Sequence, residues 1–372
     1  MMKVKRIMLF SVVILGKFLF FPEIYAQGIS VLDKMFPNAV IGREHYERLQ
    51  VELSKAGTNA FKTMFDKHIR RYAEEVITAG KQPVTAVSSN NNAQGVDIYE
   101  EMKSIYYLCV TYAFNQEQRY LDKAVDYLVA WAEVNVAEPK SNIHEEKYSW
   151  AVEGYSLIRN IVSAENRQLI DGWMIKRLTQ FEKDNDLRGN NWGACLLRQY
   201  YLYGLVLGDD KWINKYKDAY PDWVKGNLFP NGTTTDLLAR DAFAYHAYDL
   251  SFFAKIAHLI ALYEGYDAAD RFYAQDVNGG ASVKKCVDFW KPFMMNAPKY
   301  GHVEFIDTEY EPDKKREDYN KTYDPSSTLY VVDELYEFDD SLKKVFDKYR
   351  GGNVWINWRS ALSALRWLND GK

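Results

Sequence analysis

The sequence predicts an all-α protein, a single-domain α/α toroid of antiparallel helix pairs. Three observations predict it. Apolar residues recur three and four apart through almost the whole chain. The connections between these stretches are mostly short and polar, and no Gly/Ser- or Pro-rich linker divides them. Convincing strand alternation is scarce. Helix pairs closed into a ring bury amphipathic helices on both layers, and no strict repeat marks an open solenoid.

The first 26 of the 372 residues read as an export signal rather than fold. "MMKVKR" is a positive n-region, "IMLFSVVILGKFLFF" an apolar h-region, and "IYAQ" places a small residue before a cut near Ala26. Lys17 interrupts the apolar run, which disfavours a permanent span. No cysteine follows the h-region to carry a lipid anchor. The expectation is a periplasmic or secreted protein with a catalytic domain over 27–372.

Helical periodicity then runs through 46–77, 97–114 and 120–136, the last two joined by the turn "NQEQR". It continues through 148–164, 167–184, 192–208 and 210–229, then 248–267, 281–298 and 355–370. These make roughly ten or more helices of about 12 to 20 residues. The stretches that break the pattern are 82–96, 187–191, 228–241 and 300–327. Polar loops between well-formed helices are where function concentrates.

Composition narrows the function. The whole chain carries a formal charge of −4. Loss of the leader removes a net +3, leaving the mature chain near −7. Such a surface has no general attraction for nucleic acid or an anionic membrane. Cys109, Cys195 and Cys286 are too few and scattered for a disulfide framework or zinc site, and read as buried small hydrophobes. Aromatic residues make up 15% of the chain, many in polar surroundings. Such rings stack on sugars and carry hydrogen-bonding tips, which suggests a carbohydrate partner. They equally suit a helical core filled with tyrosine.

No P-loop, GxGxxG, HExxH or GxSxG signature is present, and none of the six histidines is paired at metal-ligand spacing. The reading is metal-independent and cofactor-free, either acid–base chemistry or binding. Three segments supply candidates. In "SNIHEEKYSW", Asn142 and His144 precede a helix. In "RGNNWGACLL", Asn190 and Asn191 sit at a helix mouth beside Trp192, where paired asparagines also serve as caps. In "ARDAFAYHAYDLSF", Asp241 is a cap for the helix that follows, and Tyr245 and Tyr248 share one face at i and i+3. His246 points away from both tyrosines and doubles as a core histidine.

The stretch "NNWGACLLRQYYLYGLV…NLFPNGTTTDLLARDAFAYHAYDLSFFAKIA" resembles the region of alginate lyases that runs from an Asn-Asn-His motif to an Arg…Tyr-His-Asn-Tyr motif. "VTYAFNQEQRYLDKAVDYLVAWAEV" resembles the helix pair before it. The resemblance implies an α/α toroid whose cleft binds a uronic-acid polymer and cleaves it by β-elimination. Such a reaction removes the weakly acidic C5 proton next to a carboxylate. Asn and Arg donors neutralise that carboxylate, a base takes the proton, and an acid protonates the leaving O4. By resemblance Asn191 and Arg240 fill the neutralising role, and Tyr248, matching the second tyrosine of the motif, is the acid. Tyr245 matches the first, and Asn190, Trp192, Asn142 and His144 complete the substrate-binding set.

The departures carry information. Trp192 stands where the family has its histidine base, and aligning on "YHAY" sets Asp241 where the family has arginine, one residue from Arg240. The base is then Tyr248 itself, with nearby positive charge lowering its pKa, or a histidine from elsewhere, His144 or His246. Trp192 becomes a sugar platform, and the substrate is polymannuronate, another alginate, or glucuronan. Two alternatives stand beside this reading. A glycoside hydrolase on the same toroid would draw its carboxylates from Asp236, Asp241, Asp249, Glu145 and Glu146. A glycan-binding protein would have no turnover at all.

Overall fold

A computed structural model describes residues 31–83, 97–137, 139–296 and 299–370. The export segment and its cut near Ala26 lie outside these residues, as does most of 82–96. The chain runs through α1 (Arg43–Ser54), then α2 (Ala60–Phe65), which passes by a π-helical turn at Asp66–Arg70 into α3 (Arg71–Thr78). Next come α4 (Ile98–Asn115), α5 (Gln118–Val134), and a 3-10 turn (Ile143–Tyr148) that leads straight into α6 (Ser149–Ile158). After α7 (Ala164–Asp184) follow α8 (Asn191–Leu207), α9 (Asp210–Trp223), α10 (Thr235–Arg240) and α11 (Phe243–Glu264). The chain ends through α12 (Tyr266–Ala274), α13 (Val283–Met294), α14 (Leu329–Leu335), α15 (Lys343–Arg350) and α16 (Trp358–Leu365). Among the described residues the only β pairings are isolated bridges.

The packing order makes the ring. Helices α4, α6, α8, α11, α14 and α16 each pack on the next. The circle returns from α16 to α2, where Trp358 meets Phe61 and Phe65 at about 6.0 Å. Outside them α5 packs on α4, α7 and α9 on α8, and α12 and α13 on α11. This is the α/α toroid that the periodicity predicts, and the two layers differ in sequence as burial demands. α8 and α11 are buried along almost their whole length. Outer helix α5 buries one stripe, Leu121, Ala124, Tyr127, Leu128 and Trp131, spaced at helical intervals. All three cysteines are buried and unbridged.

The structure corrects several boundaries. The stretch 46–77 divides into three pieces rather than one helix, and 210–229 stops at Trp223, giving way to a 3-10 turn. α10 lies inside the expected loop 228–241, and α14 and α15 fall where no helix was expected. Pieces of six to eight residues span barely two turns, too few for a period to show. The aromatics divide between both expected uses. Trp131, Trp212, Trp290, Tyr106 and Tyr155 are core, while others line cavities.

A buried ion pair ties α11 to the segment after α14, and the same histidine bonds the N-terminal segment. His258 Nδ1 lies 2.7 Å from Glu337 Oε2, and its Nε2 lies 3.3 Å from the Val40 carbonyl. Both partners are acceptors, so both ring nitrogens donate and the ring is an imidazolium. Burial pushes its pKa down, but the Glu337 carboxylate more than reverses this and holds it above the ordinary 6.5. Tyr266 donates to the other Glu337 oxygen at 2.9 Å. A histidine pKa raised in the folded state stabilises fully below the unfolded value, and the contribution disappears as pH rises through the folded value. The melting temperature of the wild type relative to His258→Gln is therefore expected to fall as pH rises from the ordinary histidine value of 6.5 through the higher folded-state value. A difference constant with pH would contradict the imidazolium.

Candidate active site

The 3-10 turn before α6 and the N-terminal ends of α8 and α11, with α10 and the loop at 309–310, frame a cleft of about 690 Å³. Into it come Asn190, Asn191, Trp192, Arg240, Tyr245, Tyr248 and His144, all expected from the sequence, together with Arg188, Asp236, Glu309 and Tyr310. Tyr248 also borders a second cavity of about 340 Å³ on the toroid axis, walled by Tyr72, Tyr99, Trp150 and Tyr330.

The α8 wall is set by its helix start. Asn190 is the N-cap, its side chain accepting from the Trp192 amide at 3.1 Å. Asn191 follows as the first helical residue, its backbone N–H donating to Asp236 Oδ2 at 2.6 Å. The Asn191 side chain has no hydrogen bond among the described residues and lines the cleft. The preceding loop lies flat on the helix. A Cβ at Gly193 would stand 1.9 Å from the Arg188 carbonyl oxygen, and that oxygen accepts from Trp223 Nε1 at 2.6 Å. Only glycine admits this approach. It places the Arg188 guanidinium 4.7 Å over the Trp192 ring.

The α10–α11 wall is a helix break. Asp241 does not cap the helix that follows, as the sequence suggested. It adopts a left-handed conformation (φ 50°) that ends α10, and its carboxylate accepts from the Asp307 amide at 2.8 Å. The start of α11 is capped instead by Glu304, which accepts from Phe243 and Ala244 amides at 3.0 and 3.4 Å. The break turns Arg240 back over the Tyr245 ring, 3.7 Å from its centroid. There the buried Asp313 carboxylate grips Arg240 through both Nε and Nη2. The polar loop 300–327, which supplies Asp313, is thus partly structural. Arg188, by contrast, has no carboxylate partner among the described residues, and it was not singled out from the sequence although it stands two residues before the paired asparagines.

Tyr248 reaches the cleft with a hydroxyl that makes no hydrogen bond among the described residues. Burial, then the neighbouring Glu146 carboxylate, pushes its pKa far above the ordinary value of 10. No cation lowers it, contrary to the condition set for a tyrosine base. The phenol therefore keeps its proton at neutral pH.

The histidines separate by geometry. His246 is fully buried on the far side of α11, Nδ1 3.0 Å from Thr234 Oγ1 and Nε2 3.3 Å from the Cys286 carbonyl. Burial lowers its pKa to about 4, and both nitrogens are occupied. It supports the turn before α10 and does not reach the cleft. Asn142 caps the 3-10 turn through the His144 amide at 2.9 Å and does not line the cleft either. His144 does. The turn that carries it is fixed from behind by Glu145, whose carboxylate meets the buried Arg177 at 2.5 and 3.1 Å. Partial burial, then the Lys147 ammonium, holds the His144 pKa below 6.5. Its imidazole is therefore neutral at pH 7, the state a base requires.

The class that fold and cleft define is that of the polysaccharide lyases. The chain belongs to the alginate lyase family, whose model matches residues 66–299. An alginate lyase from Bacteroides ovatus superposes with a TM-score of 0.65 at 13% identity, covering 89% of this chain and 98% of that one. Alginate lyase A1-III from Sphingomonas species A1 superposes at 0.58 and 13% identity, covering 83% and 91%. A variant of A1-III complexed with a tetrasaccharide gives 0.57 at 12%, covering 82% and 89%. No curated protein sequence matches significantly. Among the described residues no helix is long and apolar enough to cross a membrane.

Proposed function

We propose that this protein cleaves a uronic-acid polymer, alginate rich in mannuronate or a glucuronan, by β-elimination in the cleft between α8 and α11. The observation that carries the reading is the convergence of Asn191, Arg188, His144 and Tyr248 on one cleft from three separate parts of the chain. The Asn191 side-chain amide and Arg188 bind the C5 carboxylate and stabilise the charge that develops on it. Arg240, already paired to Asp313, holds Tyr245 and orients the wall. His144 takes the C5 proton, the C4–O4 bond breaks as the C4=C5 bond forms, and Tyr248 delivers its proton to O4. Trp192 and Tyr310 offer ring faces to the sugars. Residues 1–26 serve as an export signal, and 27–372 act outside the cytoplasm.

The test is near-ultraviolet absorbance during incubation with polymannuronate, polyguluronate, glucuronan and pectate in parallel. Elimination leaves a double bond conjugated to the carboxylate, which absorbs there, and hydrolysis does not. A rise is expected on polymannuronate or glucuronan. New reducing ends without a rise would replace the lyase by a hydrolase.

A further inference from the structure

Asp236 has no part in the chemistry just described, yet it stands on the cleft wall next to Asn191. It is 3% exposed. Its Oδ2 is taken by the Asn191 amide at 2.6 Å. Its Oδ1 has no hydrogen bond among the described residues, and Asp236 is one of the residues that line the cleft. Behind it on α11 lies Asp249, wholly buried and close enough to feel its charge. Asp249 receives one hydrogen bond, from Asn227 Nδ2 at 3.1 Å, and its Oδ2 has no partner. Two carboxyl groups thus share one largely buried wall. The cation on the same helix, Arg240, is engaged by Asp313.

A wall of this kind does not hold two carboxylates, least of all facing a substrate that brings a third. Resting on the lyase reading above, we propose that Asp236 is a further catalytic residue, a neutral carboxylic acid. Its Oδ1–H donates to the substrate's C5 carboxylate beside the Asn191 amide. The proton stays on Asp236. As the C5–H electrons enter the C4=C5 bond and the O4 leaving group takes the Tyr248 proton, charge rises on the carboxylate oxygens and the hydrogen bond strengthens. The Asn191 N–H to Oδ2 bond fixes which oxygen carries the proton. Burial raises the Asp236 pKa to about 7, against the Asn191 amide and Arg240, which lower it. Asp249 is held well above the carboxylate range by burial and by Asp236. The other charged or titratable groups on the cleft are Arg188, Glu309, the neutral His144 and the phenols of Tyr245, Tyr248 and Tyr310.

The experiment is the pH profile of kcat/KM between about pH 5.5 and 9, on the polymer the wild type cleaves, for wild type, Asp236→Asn and Asp236→Ala. The wild type is expected to decline above about pH 7 as Asp236 ionises. Asp236→Asn keeps an acceptor for the Asn191 amide and a neutral donor toward the cleft. It should lower kcat/KM about tenfold near pH 6, a weaker donor than the acid, and abolish the alkaline decline. Asp236→Ala should lower kcat/KM about a hundredfold across the acidic half of the profile. Thermal melting of Asp236→Asn checks that the fold is intact. An Asp236→Asn profile that keeps the wild-type decline would overturn the proposal and leave Asp236 as a helix anchor. A wild type that forms no unsaturated product on any polymer would strike the lyase reading itself.

Discussion

Tyr248→Phe is expected to lower kcat about a thousandfold while leaving oligosaccharide binding nearly unchanged, because the substitution removes one proton and little else. The ring packs against Phe252 at 5.1 Å, a contact that phenylalanine retains. The hydroxyl forms no bond within the described protein whose loss would disturb the fold. Burial and Glu146 keep the phenol protonated well above neutral pH, so the group is in its donating form whenever the enzyme works. The leaving O4 would otherwise depart as an alkoxide, and protonation by a placed acid is worth about 10² to 10⁴ in rate. Absorbance kinetics and direct titration with a short oligouronate separate the two effects. Activity within about tenfold of wild type would assign the proton to another group.

Glu153→Ala is expected to cost about 3–5 kcal/mol of stability. Glu153 on α6 accepts from Arg198 on α8 through one oxygen and from Arg359 on α16 through the other, at 2.5 Å each. Side-chain exposure is 6% for Glu153 and 3% for Arg198. Three inner helices therefore converge on one carboxylate, and its removal leaves two guanidinium groups without it, Arg198 buried and Arg359 18% exposed. The pair of charges need not be net stabilising, since replacing an entire buried ion cluster by apolar residues is often neutral. Breaking it from one side is the costly act. The denaturant midpoint of Glu153→Ala should drop sharply, and the triple replacement Glu153→Leu, Arg198→Met, Arg359→Met should recover much of it. An unchanged midpoint in Glu153→Ala would show that water already screens the triad.

Half of the candidate site was legible in the sequence because its signals are local. Asn190 and Asn191 announce a helix start through their type and their place before an apolar run. Tyr245 and Tyr248 share a face because three residues nearly complete a helical turn, and the same geometry sends His246 to the opposite side, where the structure buries it. Asp241 misled because a polar residue between two helical stretches caps either one. Only the backbone conformation shows that it closes α10.

What the sequence by itself determined is the layer structure and the walls of the cleft. Continuous apolar helices went inside, striped ones outside, and the polar helix starts collected at one face, since burial and capping act within a few residues. What only the tertiary structure decided is which of those polar groups are usable. Asp313 reaches Arg240 across 73 positions, Glu304 caps α11 from 61 positions away, and Asp236 grips Asn191 from 45. Contacts at such separations leave no periodicity or spacing to read. They decide charge and protonation, which depend on the water excluded and the partners gained when distant segments meet.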